Sequence, residues 1–277
     1  DACLLAAILG ILKTGRIFVP LDPYFPRERN NYILEDSGAV TIVTSDKNRA
    51  LADSLSRNQR RVINIDDIDS TSTAENLGRP VAPDTIAYIL YTSGSTGRPK
   101  GVMQNHLNAL HDTMQFTNAL HIQQSERINL FYSCSARSLR GIFTALLNGA
   151  SLFFFNLKEE GIVNLADWLI EEAITVYHSV PSVFRQFAGT LTEKEKFPNL
   201  RLIRLGGEQV LAGDVELYKK YFSAGCMMSI GMGTTETGTF RQYFIDKETQ
   251  ISGSVVPSGY PVPDMEVVIL NDDKEQV

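Results

Sequence analysis

Between Thr92 and Gly101 the chain reads Thr92-Ser93-Gly94-Ser95-Thr96-Gly97-Arg98-Pro99-Lys100-Gly101, with four hydroxyls, three glycines, one lysine and one arginine in ten residues. Glycine lets the backbone turn its N–H groups inward with no Cβ in the way, which makes a cradle for an anion. The hydroxyls add neutral donors and Lys100 adds a point charge on a flexible stem. Such a loop can hold phosphate; it can equally be a plain surface turn, because Ser, Thr and Gly are common loop residues. A Walker A loop needs G-x-x-x-x-G-K-[ST]. Here Gly94 and Gly97 stand three apart and Gly101 follows Lys100, so this is not a P-loop. Farther on, Thr235-Glu236 offers a carboxylate, the hard oxygen ligand that magnesium takes. A Glu in that place is, by itself, more often a solvated surface residue.

The elements that must position these groups alternate along the chain. The pattern predicts a helix over Ala2–Lys13 stopped by Gly15, and a strand over Ile17–Pro20. A helix over Pro26–Asp36, a strand over Val40–Val43, a helix near Lys47–Leu55 and a strand over Val62–Ile65 follow. The polar stretch Asp66–Pro83 reads as a linker. Ile86–Tyr91 then enters as a strand with no polar face. Further apolar runs lie at Ile128–Tyr132, Leu152–Phe155, Thr175–Val180, Leu200–Leu205 and Met227–Met232, with helical spacing over Asn164–Ala173 and Ala212–Phe222. Continuous apolar strands between helices predict an α/β fold with mainly parallel sheets covered on both faces. In such a sheet a ligand loop belongs at a strand's carboxyl end. From Thr239 the pattern shifts to short strands and turns, Phe240–Ile245 and Val267–Leu270. The expected division is a first α/β part over 1–80, a second over 84–245 that binds nucleotide and acid, and the start of a β-rich subdomain over 246–277.

Composition narrows the class. A formal net charge of −6 disfavours nucleic acid as the main partner, though ATP needs only a local positive patch. The cysteines, Cys3, Cys134 and Cys226, make no C-x-x-C pair, which suits buried thiols in a reducing compartment. The apolar run Ala2–Leu12 lacks a basic flank and is too short to span a bilayer, so it reads as a core helix of a cytoplasmic protein. The chain starts without methionine inside that helix, so it is expected to be part of something longer. His106, His111 and His121 lack metal spacing, and Phe153-Phe154-Phe155 and Trp168 read as packing residues.

Tyr91–Val102, YTSGSTGRPKGV, resembles the signature loop of the adenylate-forming superfamily of acyl-CoA synthetases, peptide-synthetase adenylation domains and luciferases. Three more blocks resemble that family in the right order: Leu12–Pro23, its LKxGxxxVPLDP segment; Gly231–Thr237, its YGPTE-type motif; and Ser258–Pro263, its IGxPxP segment. The wording is most similar to a peptide-synthetase adenylation domain. The resemblance implies attack of a carboxylate on the α-phosphate of ATP, with magnesium pyrophosphate leaving. Thr92, Ser93, Gly94, Ser95, Thr96, Gly97 and Lys100 would then cover the triphosphate. Thr235 would approach the α-phosphate, and Glu236 would be the magnesium ligand. Gly207, Glu208, Gln209 and Gly233 would line the nucleotide site, with Met232 where the family usually stacks an aromatic on adenine.

In the acid pocket, Ala136 falls where a peptide-synthetase domain usually has an aspartate for the substrate's ammonium group. With Arg137 beside it, a keto, hydroxy, aryl, fatty or carboxylate-bearing acid is expected rather than a standard α-amino acid. Arg140, His178, Ile203, Leu205, Gly231, Thr239 and Phe240 would complete the wall, with Arg137 and Arg140 available to an anionic substituent or left exposed. The family continues past the position of Val277 into a ribose-binding aspartate, a hinge and a C-terminal domain carrying a catalytic lysine. This stretch alone is therefore expected to adenylate poorly. In the whole protein the acyl group would pass to the phosphopantetheine thiol of a carrier protein or to coenzyme A. A free-standing acyl-CoA synthetase and a non-catalytic nucleotide- or acid-binding scaffold are the competing readings.

Overall fold

The structure, a computed structural model, describes residues 2–69, 71, 73, 75–93, 98–131 and 136–277, the side chains of residues 136 and 137 excepted. Contacts divide the chain into two compact units, Asp1–His111 with Ser133–Leu139, and Asp112–Tyr132 with Arg140–Val277.

In the first unit α1 (Ala2–Lys13) ends where Gly15, at φ +70°, takes the left-handed turn that helix C-termini use. The expected strand at 17–20 is reduced to one bridge, Phe18 beside Tyr88. Pro26, whose missing N–H costs nothing at a helix start, precedes α2 (Arg27–Asp36). Strands β1 (Thr41–Thr44) and β2 (Arg61–Asn64) pair in parallel beside α3 (Arg49–Ser56), and Leu34, Ile42, Ala52 and Leu55 form their core. The apolar strand expected at 86–91 is β3 (Ile86–Ser93), but its partner is β4 (Pro99–Asn105), antiparallel, in a two-stranded sheet of its own. The glycine–hydroxyl loop thus joins two strands of a hairpin instead of leading from a parallel strand into a helix. Helices α4 (His106–Leu120) and α5 (Ala136–Asn148) belong partly to each unit.

The second unit is a seven-stranded sheet. Strands β5 (Arg127–Phe131), β6 (Ser151–Phe155), β7 (Val176–Ser179), β8 (Leu202–Gly206) and β9 (Met227–Thr234) run parallel in the order β6-β5-β7-β8-β9. Antiparallel β10 (Gly238–Ile245) and β11 (Tyr260–Pro261) extend it beyond β9. Between strands run α6 (Leu157–Glu160), α7 (Leu165–Glu171), α8 (Pro181–Ala188) and α9 (Ala212–Tyr221). Strand β8 is buried along its whole length, as a strand covered on both faces must be. On one face Ile203 and Leu205 join Phe184, Phe187, Val215 and Tyr218. On the other, Leu202 and Val176 join Phe116, Leu120 and Ala145. The expected run Phe240–Ile245 belongs to this sheet as β10, whereas 267–270 shows only the bridge Leu270–Gln276. Among the described residues no helix is long and apolar enough to cross a membrane.

Candidate functional site

The two signature segments singled out above fall in different units, one in each. In the first, the β3–β4 register sets Thr92 opposite Lys100 and Ser93 opposite Pro99. Directly opposed residues share a face, so the side chains of Thr92 and the exposed Lys100 leave the hairpin on the same face beside the loop. Gly94, Ser95, Thr96 and Gly97 lie outside the described residues. The hairpin is tied to α2 by the Tyr91 hydroxyl, which donates to Asp36 Oδ2 at 2.6 Å. Burial, then the carboxylate of Asp36, pushes the Tyr91 phenol well above its usual range, so it stays a donor. Gly101 faces this ring so closely that a Cβ there would press on Ile89 and Tyr91.

In the second, β9 and β10 form a hairpin whose tip is Thr235, Glu236 and Thr237. Thr234 Oγ1 accepts from the Thr237 N–H at 3.2 Å and lies 3.1 Å from its hydroxyl, which closes the turn. Glu236 is exposed and Thr235 half-buried, so a carboxylate and a hydroxyl sit together at an accessible tip. All are oxygen donors, which suits magnesium and would suit a softer metal poorly. At Gly233 the strands approach so closely that a Cβ would strike the Gly238 carbonyl. Met232 is exposed.

The tip end of this hairpin is held by Asp112, which the sequence reading missed. Its Oδ2 accepts from Arg140 Nε at 2.5 Å and its Oδ1 from the Thr239 N–H at 3.2 Å. One carboxylate therefore joins α4, α5 and β10. This corrects the expectation of an exposed Arg140: its side chain is mostly buried in an ion pair, with its guanidinium 5.7 Å from the Phe116 ring. Thr239 is buried, and half-buried Phe240 sits at the bulge between Thr239 and Arg241. His178, half-buried on β7, lies 5.9 Å from the same Phe116 ring.

Ile203 and Leu205 are placed elsewhere than expected. Both are fully buried in the core with α8 and α9, on the face of β8 opposite Arg204. Side chains alternate along a strand, so the residue between them faces the other way. That residue is Arg204, 2% exposed, paired in register with His178; its Nη1 donates to Ser229 Oγ at 2.9 Å and its guanidinium is 5.5 Å from Phe116. Gly231 makes the room: a Cβ there would collide with Nη2 of Arg204. A charge inside an otherwise apolar run was the signal available in the sequence.

The adenine segment also differs in detail. Gly207, at φ +87°, turns the chain after β8. The Glu208 carboxylate caps α8, accepting from the Ser182 N–H at 3.0 Å and from its hydroxyl at 2.9 Å. The Gln209 carbonyl accepts from Arg185 at 3.0 Å. Those polar groups serve the scaffold. The backbones of Ala136 and Arg137 belong to α5, and their side chains lie outside the described residues.

The family model described as AMP-binding enzyme matches residues 2–277. The chain belongs to that family. This AMP-binding chain is 32% identical over 275 residues to tyrocidine synthase 1 of Brevibacillus parabrevis, covering 96% of the chain and 24% of the relative. It is 29% identical over 269 residues to bacitracin synthase 1 of Bacillus licheniformis, covering 97% of the chain and 5% of the relative. The chain thus spans a quarter or less of either relative's length. Among solved structures, the nonribosomal peptide synthetase FmoA3 superposes with a TM-score of 0.88 at 23% identity, over 99% of this chain and 29% of that one. O-succinylbenzoate coenzyme A synthetase of Bacillus subtilis, in complex with ATP and magnesium ion, gives 0.83 at 19%, over 100% and 56%. At those identities the superpositions speak for the fold, an α/β core with a mainly parallel sheet.

Proposed function

We propose that this chain is the core of an enzyme that joins a carboxylic acid to AMP and expels pyrophosphate. The observation that carries the reading is the placement of its two signature segments, each at an accessible hairpin mouth or tip: Thr92 with Lys100, and Thr235 with Glu236. Family membership supports it. A carboxylate oxygen of the acid attacks the α-phosphorus; the bond from that phosphorus to the bridging oxygen breaks, and its electron pair leaves with pyrophosphate. Both reactants are anions, so the work is positioning and charge neutralisation. Lys100 and the loop hydroxyls hold the phosphates, Thr235 the α-phosphate, and Glu236 is the residue that would hold magnesium. Magnesium, when bound, supplies positive charge to the departing pyrophosphate.

In the whole protein the acyl group passes to a carrier-protein thiol, and the peptide-synthetase wording of the motifs favours this over coenzyme A. The acid is not a standard α-amino acid, because Ala136 offers nothing to an ammonium group. A cytoplasmic setting, the division at residues 80–84 and the β-rich start at 246 belong to the same proposal.

The test is ATP–pyrophosphate exchange by the full-length protein with Lys100→Ala and Glu236→Ala variants. Loss of one charge-assisted contact costs about 1.5–3 kcal/mol, so exchange should fall about 10–100-fold in each. Thermal stability should not change, since both side chains are exposed. For Glu236→Ala the magnesium requirement should also move to higher concentration. Exchange unaffected by both substitutions would refute the assignment.

A further inference from the structure

Resting on the reading of Glu236 as the magnesium ligand, we infer that Asp112 is a positioning residue: from α4 it fixes the direction of the hairpin tip that carries Thr235 and Glu236. A ligand carboxylate has to be held to within about 0.5 Å of its working place. Glu236 stands exposed on the turn that follows β9, so that precision must come from whatever grips the turn.

The hairpin does not supply that precision by itself. The contacts between Thr234 and Thr237 set the shape of the turn, not its direction against the sheet. Gly238 opposes Thr234 and Thr239 opposes Gly233, but the register then shifts before Arg241, and Phe240 is passed over. A bulge bends its strand and re-aims the segment beyond it. The tip is that segment.

Asp112 takes hold on the tip side of the bulge. Its Oδ1 accepts from the Thr239 N–H and lies so close to Gly238 that a Cβ there would stand 2.6 Å from it. Gly238 also has φ +69°, so the backbone conformation and the carboxylate both call for glycine. The carboxylate is itself held, because Oδ2 accepts from Arg140 Nε in a mostly buried pair. Thus α5 aims Asp112, and Asp112 aims Thr239, three residues on from Glu236. A carboxylate bonded to a backbone N–H makes a charge-assisted contact, stronger and more directional than a neutral one. Contacts of this outer kind govern how well a ligand holds its metal, and losing one costs about 10–100-fold in metal affinity.

The test measures ATP binding to the full-length protein by isothermal titration calorimetry, with saturating magnesium and again with EDTA; no acid is needed. The ratio of the two dissociation constants is the contribution of magnesium, and it is read within one protein. Asp112→Ala should lower that ratio about 10-fold and leave ATP binding in EDTA unchanged. Asp112→Asn keeps an oxygen for the Thr239 N–H without the charge, so it should retain part of the ratio; it also serves if the alanine variant fails to fold. Glu126→Ala controls for a merely structural loss. Glu126, 6% exposed, pairs with Arg201 at the amino ends of β5 and β8, whereas the tip lies at the carboxyl end of β9 in the same sheet. That variant should lose stability and keep the ratio. A ratio unmoved by Asp112→Ala, or lowered equally by Glu126→Ala, would assign Asp112 to the scaffold and overturn the inference. Glu236→Ala separates the two claims. If it lowers the ratio and Asp112→Ala does not, the magnesium reading stands without this inference; if it leaves the ratio unmoved, the reading fails and the inference with it.

Discussion

Asp112 shows how much of this site depends on single side chains that carry no motif. Its carboxylate takes one donor from α5 and one from β10, with 24% of the side chain exposed and 12% of its Arg140 partner. Removing one partner of such a pair strands the other charge away from water, which costs more than the pair contributes. Asp112→Ala should therefore destabilise the protein by about 3 kcal/mol. Denaturant unfolding checks this; a change under 1 kcal/mol, the scale of an exposed ion pair, would show the pair to be solvated. Cys226 is a second residue with a readable consequence. It is buried, and burial pushes its thiol up to about 12 from 9.0. The unfolded chain then loses this proton first as pH rises, so the native state binds more protons between those values. The cysteine's contribution to stability is constant below pH 9 and declines as pH climbs towards 12. Cys226→Ala should flatten that alkaline decline, and native Cys226 should escape alkylation at pH 8 when labelling is followed by mass spectrometry.

At the scale of elements, the sequence exposed what repeats and hid what alternates. The helices over 2–13, 27–36 and 212–221 and the strands at 151–155 and 202–206 were legible from apolar spacing and from Pro and Gly at their ends. Pairing was less so. The run at 86–91 looks like a buried parallel strand, yet it pairs antiparallel with β4 across the loop, because apolar content reports burial and says nothing about which strand lies beside it. Strand β8 illustrates the second difficulty. A run buried on both faces has no polar side to show its phase, so Ile203 and Leu205 were read into the pocket while Arg204 occupies that face. Gly231 is legible as part of a motif block, but the reason for a glycine there lies on the neighbouring strand. Gly231→Ala would drive a methyl into Arg204, an overpacking that costs about 1–3 kcal/mol. Thermal unfolding should register this loss, and combining it with Arg204→Gln, which shortens the obstructing side chain, should recover part of it. Equal destabilisation with either residue at 204 would show that the collision is not the cause.

Across the whole molecule, the family was legible because four motif blocks lie in order along the chain, and fold and family model agree with them. The acid was not, because no motif block specifies it: the cavity beside Arg204 is lined by residues of α4, β8 and β10 and by Val262, which are distant in sequence. What unites the parts is the proposal that the two signature hairpins serve the making of a mixed anhydride between an organic acid and AMP. The most direct measurement is to incubate the full-length protein with ATP, magnesium and each of a panel of keto, hydroxy, aryl, fatty, dicarboxylic and amino acids, and to look by mass spectrometry for the acyl-adenylate. The account predicts an acyl-AMP species that retains the acid's carbons, with one pyrophosphate released for each. ATP left intact with every acid offered, or cleaved to ADP and phosphate with no acyl-AMP formed, would contradict it.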